Sequence, residues 1–264
     1  VYKQIFMKLS IVIPVYNSSK IIDELTDRII NSIAHLNLSN SFELILINDF
    51  SSDNSWEKIL YLGKKYPFIK GFNLDDNYGQ HNAIMAGLNN TEGDFIITMD
   101  DDLQHAPEFF SEILDKLIKY DVCYTNYKNR KHSFWKKIVS IINNLVSSFL
   151  LNKPFKIYMS SFRGIKKNIV KEIIKFKDPD VYLDGLILKA TKRIGMIEVD
   201  HFARRIGESN YTLKKLFLLW SNMVLNFSFL PLRPVSVFGY IIKVIIKFLR
   251  KPNNKSQYKI SAKT

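Results

Sequence analysis

The sequence holds one cysteine, Cys123, in 264 residues. A single thiol rules out a disulfide framework and suits a reducing cytosol. The opening VYKQIF lacks the charged-then-apolar order of a secretory leader. Met7 directly precedes KLSIVIPVYN, so residues 1–6 read as lying outside the folded domain. No repeat or low-complexity tract runs through the chain, and the polar residues 253–264 read as a disordered tail. A comfortable membrane crossing is also missing, since that takes about 20 mostly apolar residues. Residues 213–232 are interrupted by Ser221, Asn222, Asn226 and Ser228, and residues 235–249 carry Lys243 and Lys247 one helical turn apart. Both stretches read as amphipathic helices that lie at a membrane interface.

What is present is enough apolar material, 47% of residues, to bury one sizeable core. The net charge of +13 is unevenly spread. Residues 1–127 carry 10 Lys and Arg against 18 Asp and Glu, whereas residues 128–264 carry 28 against 7. A basic half beside an acidic one points to phosphates or an anionic membrane surface. It argues against nucleic acid, because the acidic half would face the same partner.

Leu9–Val15 and residues 42–47 are short, β-branched, almost wholly apolar runs, as expected of strands covered on both faces. Between them Ile21, Ile22, Leu25, Ile29, Ile30 and Ile33 fall at helical spacing, which makes a βαβ unit. The alternation continues with a helix over 56–65, a strand over 69–73, a helix over 81–88, a strand over 95–99, a helix over 107–119 and a strand over 122–125. Residues 1–127 therefore read as a mostly parallel α/β domain. Beyond them the spacing predicts an amphipathic helix over 133–151, strands over 159–165 and 194–199, and a helix over 181–191 with Asp184 in its first turn.

Parallel α/β sheets bind ligands at the carboxyl ends of their strands. Here those ends carry PVYN (14–17), NDFSSDNS (48–55), NYGQHNA (77–83) and MDDDLQ (99–104). Asp100 and Asp102 are two apart, so in extended backbone they project to one side and can share a cation. Mg²⁺ or Mn²⁺ held by two carboxylates and a substrate diphosphate would offset the repulsion of three adjacent acids.

As a set these motifs resemble the family 2 glycosyltransferases of GT-A fold, in particular the branch that includes dolichyl-phosphate mannose synthase and the undecaprenyl-phosphate sugar transferases. The resemblance runs from about Lys8 to Leu232. It implies a catalytic domain over 1–211, with a nucleotide-sugar half (1–127) and an acceptor half (128–211), followed by membrane-associated helices over 212–252. It places Pro14, Tyr16, Asn17, Asp49, Asn77, Gln80, Asp100 and Asp101 against the nucleotide sugar, with Asp49 on the base and NYGQ near the diphosphate. Asp100 and Asp102 become the D-x-D metal ligands. SSFRGI (160–165) resembles the segment that sets an Arg, here Arg163, against the acceptor phosphate. HFARRIGESNYTLKKL (201–216) resembles a loop R-x-x-G-x-S-x-Y that folds over the diphosphate, matching Arg204, Gly207, Ser209 and Tyr211.

The chain departs from that pattern at four places. Asn48 replaces an Asp, Phe50 stands where Gly is usual, and Ser161 stands where many relatives have Asp. Tyr127 occupies a place common to Arg, which leaves Arg130 as the phosphate contact. The resemblance implies a metal-dependent, inverting transfer from a nucleotide diphosphate sugar to a polyprenyl phosphate, with Asp102 and Arg204 serving the leaving diphosphate and Arg130, Arg163 and Ser209 the acceptor. Asp184 reads equally as a base or as a charge favoured by a helix N-terminus. The implied setting is peripheral or monotopic, on the cytoplasmic face of the plasma membrane, and a homo-oligomer is compatible with it. Two other readings stay open: a saccharide or glycolipid acceptor, and a catalytically silent nucleotide-sugar binder.

Overall fold

The computed structural model describes residues 8–128, 148, 157–200 and 256–264. Leu9–Val15 and Phe42–Asn48 form β1 and β2, and every residue of both is buried. Strands in that position need apolar side chains on both faces, which is why neither run alternates apolar with polar. β1 pairs in parallel with β2 on one side and with β4 (Phe95–Thr98) on the other, and β2 pairs in parallel with β3 (Ile69–Leu74). Right-handed crossovers are the rule for such units. The connections run here through α1 (Ile22–His35), α2 (Ser55–Lys65) and α3 (Gln80–Leu88).

The second half widens this sheet. β5 (Val122–Lys128) follows α4 (Phe110–Lys119), and β6 (Arg163–Lys166) inserts antiparallel between β4 and β5. After α5 (Lys167–Ile173) and α6 (Leu183–Ala190), β7 (Ile194–Asp200) joins the outer side of β5 in parallel. β8 (Ile260–Lys263) closes the far edge antiparallel to β3, giving the order β7-β5-β6-β4-β1-β2-β3-β8.

Strand parity sorts the core into two layers. Leu9, Ile11 and Ile13 sit directly across from Phe42, Leu44 and Leu46, and all six pack with α1, α2 and α4 residues such as Leu25, Ile29, Ile59 and Ile113. Val12, Ile45, Ile47 and Ile96 point to the other face, against Ala83 and Ile84 of α3 and Ile187 of α6. Each such side chain contributes about 1.5–3 kcal/mol by leaving water. Gly87 lets α3 lie close to β1, since a Cβ there would come within 2.3 Å of Val12 Cγ1.

Three expectations change. The helix over 107–119 opens as a 3₁₀ turn, Pro107–Phe109, before α4 begins. The short α5 had no counterpart in the sequence reading. Within the tail read as disordered, residues 260–263 are a paired strand, tied further by the Thr264 amide to Gly71 O (3.0 Å) and by Gln257 Nε2 to the carbonyls of Phe176 and Asp178. The helices expected over 133–151 and 212–252 lie outside the described residues, Ser148 apart. No described helix is long and apolar enough to cross a membrane.

Candidate active site

The three carboxylates lie just past the end of β4. Ile96 and Thr98 share the α3 face with Val12. Gln80, the first residue of α3, donates from Nε2 to Asp100 Oδ1 at 2.5 Å, and Ser161 Oγ donates to Oδ2 at 2.7 Å. The Asp100 amide in turn donates to His105 Nδ1 (2.8 Å), whose ring stacks on Phe162. Asp101 accepts from the Tyr16 amide (3.0 Å) and from Ser18 Oγ, and burial pushes its pKa up to about 6. Asp102 is 8% exposed and accepts from the Gln104 amide at 3.1 Å. Each of the three acids thus has hydrogen-bond donors of its own.

Asp49 lies one residue past β2 and is 4% exposed. Its two oxygens accept from the amides of Tyr78 (2.8 Å) and Gly79 (2.9 Å), and Asn77 Nδ2 donates to its carbonyl. Burial raises the Asp49 pKa, and those two amides work against the rise. Asp49 therefore secures the turn that starts α3. Gly79, at φ 83, takes a backbone conformation that suits glycine there. Asn17 joins β1 to the next loop, accepting from the Ser52 amide (2.8 Å) while its own amide donates to Ser51 Oγ. Pro14 belongs to buried β1, and Tyr16 is exposed at its end. The loops after β1, β2, β3 and β4 are laced into one platform.

Arg163 has a different setting from a residue presented to an acceptor. It lies in the middle of the sheet on β6, 1% exposed, and pairs through Nη1 with Asp184 Oδ1. Its Nε donates to Thr98 Oγ1 at 3.3 Å and its guanidinium lies 5.5 Å from the centre of the Tyr124 ring. Tyr124 Oη donates to the same Asp184 oxygen at 2.7 Å. Asp184 stands in the first turn of α6, as expected, and serves there as the counter-ion of Arg163. His81 lies on the Asp100 and Asp184 side of α3. Its Nδ1 is buried without a hydrogen-bond partner, and burial lowers its pKa.

The sequence reading named Asp100, Asp101, Asp102, Asp49, Asn77, Gln80 and Tyr16, and the fold brings these together. Arg130, Arg204 and Ser209 lie outside the described residues. The reading did not single out Ser18, Thr98, Tyr124 or the brace from Ser161, because contacts so distant in sequence leave no local signal. Among the described residues, no group of three His, Cys, Asp or Glu side chains is arranged to hold a metal ion. Asp100 and Asp102 carry hard oxygen atoms of the type that Mg²⁺ and Mn²⁺ prefer.

Residues 10–174 match the family described as Glycosyl transferase family 2. The chain is 33% identical over 239 residues to an undecaprenyl-phosphate 4-deoxy-4-formamido-L-arabinose transferase of Proteus mirabilis, covering 90% of this chain and 73% of that protein. It is 34% identical to the enzyme of the same name from Serratia proteamaculans, covering 89% and 72%. Among solved structures it resembles glucosyl-3-phosphoglycerate synthase from Mycobacterium tuberculosis bound to Mn²⁺, UDP and phosphoglyceric acid, with a TM-score of 0.60 at 16% identity over 83% of this chain and 78% of that one. S. aureus TarS 1–349 in complex with UDP-GlcNAc gives 0.57 at 19% identity, over 92% and 72%. These two likenesses show the α/β GT-A-like fold.

Proposed function

The chain belongs to glycosyl transferase family 2, and on that premise we propose that it moves a sugar from a nucleoside diphosphate donor to a polyprenyl phosphate of undecaprenyl type. One observation carries the donor half of this reading: Asp100 is held from both sides, by Gln80 and Ser161, at the end of a buried strand. Such bracing fixes a carboxylate where a ligand must meet it. The acceptor half is supported by the relatives named undecaprenyl-phosphate transferases, which match this chain at 33% and 34% of aligned residues.

Asp100 and Asp102 would hold a divalent cation, which when bound offsets the charge of the departing nucleoside diphosphate. Asp49 and Asn77 set the turn that brings the amide end of α3 and Gln80 to the site, where a helix N-terminus favours phosphate. Arg204 is proposed to add a fork of donors to the same diphosphate. Arg130 and Ser209 are proposed to meet the acceptor phosphate. Arg163 acts from beneath, locking Asp184 and α6 in place. A phosphate acceptor is already anionic near neutral pH, so positioning matters more than proton removal. Direct attack would invert the anomeric carbon. The basic second half suits work at an anionic cytoplasmic leaflet.

The test incubates the full chain with radiolabelled nucleotide sugars, Mn²⁺ or Mg²⁺, and undecaprenyl phosphate. The expected product is an organic-extractable, acid-labile lipid. Label appearing only on a water-soluble saccharide or a glycolipid would replace the acceptor assignment.

A further inference from the structure

Among the described residues, five have a positive φ, and four of these follow the strands that carry the site: Asn17 (φ 55) after β1, Phe50 (φ 58) after β2, Gly79 (φ 83) after β3 and Leu103 (φ 61) after β4. Gly79 adopts this conformation freely and Asn17 is a residue type often found in it. Phe50 is neither. A Cβ-bearing aromatic residue is strained in the left-handed region, and strain of this kind persists where the surroundings impose it. Phe50 is also 54% exposed, and Tyr16 is 49% exposed. Glycine in place of Phe50 would remove both costs. The ring therefore has a use outside the folding of this loop.

The topology says what lies nearby. Val15 pairs with Asn48, and the Asp49 amide continues the ladder to Val15 O at 2.9 Å, so Tyr16 and Phe50 stand at adjoining strand ends. Asn17 and the Ser51–Ser52 backbone brace the two turns against each other. Strand order places β1 between β4, with its carboxylates, and β2, with Phe50. Neighbouring strands are about 4.8 Å apart, so the β2 end lies roughly 10 Å from the β4 end. A diphosphate anchored at β4 would send its ribose over β1 and its base toward β2.

We propose that Phe50 stacks on the nucleobase of the donor, forming with Tyr16 an aromatic grip for a planar ring. This rests on the donor reading given above. It adds a contact that a chain with glycine at this position cannot make. Stacking tolerates any base, so the residue strengthens binding of the nucleoside portion without choosing among bases.

The experiment is calorimetric titration of the full chain with Mn²⁺ present. UDP, CDP, GDP and ADP are tried on the wild type, and the tightest is carried forward beside inorganic pyrophosphate. Phe50→Gly and Phe50→Ala should each weaken the nucleoside diphosphate about tenfold, in line with one base–aromatic stack. Pyrophosphate affinity should stay within about twofold, and Phe50→Gly should melt no lower than wild type because glycine accepts the positive φ. Unchanged nucleotide affinity in both variants overturns the proposal. Equal loss for nucleotide and pyrophosphate overturns it too, since the loop would then have collapsed. Loss of binding to anionic phosphatidylglycerol vesicles with nucleotide affinity intact would make the ring a lipid contact instead. Failure of all four nucleotides to bind the wild type would remove the donor reading itself.

Discussion

Asp100 and Asp101 are neighbours in sequence yet bond to different elements, one braced by Gln80 and Ser161, the other gripping Tyr16 and Ser18. This separation yields two tests. Asp102→Asn should lower transfer by about a hundredfold or more while leaving circular dichroism and melting temperature near wild type, because it weakens the oxygen set offered to the cation. Activity that survives in this variant and resists chelators would sink the metal assignment. Asp101 behaves differently. Its folded pKa of about 6 lies above the ordinary 3.8, so the folded chain keeps a proton that the unfolded chain releases. Stability is then undiminished below about pH 4, falls as pH rises through the interval from 4 to 6, and stays lower above it. In chelator, Asp101→Asn should raise the melting temperature by several degrees at pH 7.5, equivalent to at most about 3 kcal/mol. The gain should vanish by pH 4. A gain that is equal at both pH values would rule out titration of Asp101 as its cause.

At the scale of elements, the Arg163–Asp184 pair joins β6 to α6, with Tyr124 of β5 as a third member. A buried ion pair adds little over a well-packed apolar pair, but removing one partner strands the other charge at a cost of about 3–5 kcal/mol. Arg163→Met and Asp184→Leu should each destabilise strongly in urea unfolding, and the double variant should lose at least about 2 kcal/mol less than their sum. Simple additivity would mean that the pair is not made in solution. The edge strand β8 offers a second test. Thr264 Oγ1 accepts from the Gly71 amide at 2.9 Å, and a Cβ at Gly71 would meet Ile59 Cγ2 at 2.3 Å, so this corner is tightly closed. Deleting residues 256–264 exposes the β3 edge. It should lower the melting temperature and promote concentration-dependent association, measured by light scattering. A monodisperse, equally stable truncation would show that β8 contributes nothing to the edge.

Across the whole molecule, the charge changes sign between the two halves, from 10 basic against 18 acidic residues to 28 against 7. Basic residues near an anionic leaflet contribute about 1 kcal/mol each, and salt screens them over about 8–10 Å at 0.1–0.15 M. Co-sedimentation with anionic vesicles should therefore fall steeply from 50 to 500 mM NaCl and be weak on neutral lipid. Deleting residues 235–252 while keeping 256–264, and with them β8, should lower it further. Salt-independent binding would point to insertion by apolar contact alone.

The pattern of single residues already carried much of this protein. Unbroken β-branched runs announced strands buried on both faces. Polar motifs just past those runs marked the site, because strand ends are where a parallel sheet leaves backbone and side chains free for a ligand. Other features had no local signature. Ser161 reaches Asp100 from 61 residues away and Ser18 reaches Asp101 from 83, so only the pairing of β6 beside β4 and β4 beside β1 brings them together. The resemblance of SSFRGI set Arg163 against the acceptor phosphate; in the sheet the residue is buried and its charge is paired with Asp184. β8 was illegible for the converse reason. Its mostly exposed ISAK offers only Ile260 to the core, and it becomes a strand through the open hydrogen-bonding edge that β3 presents.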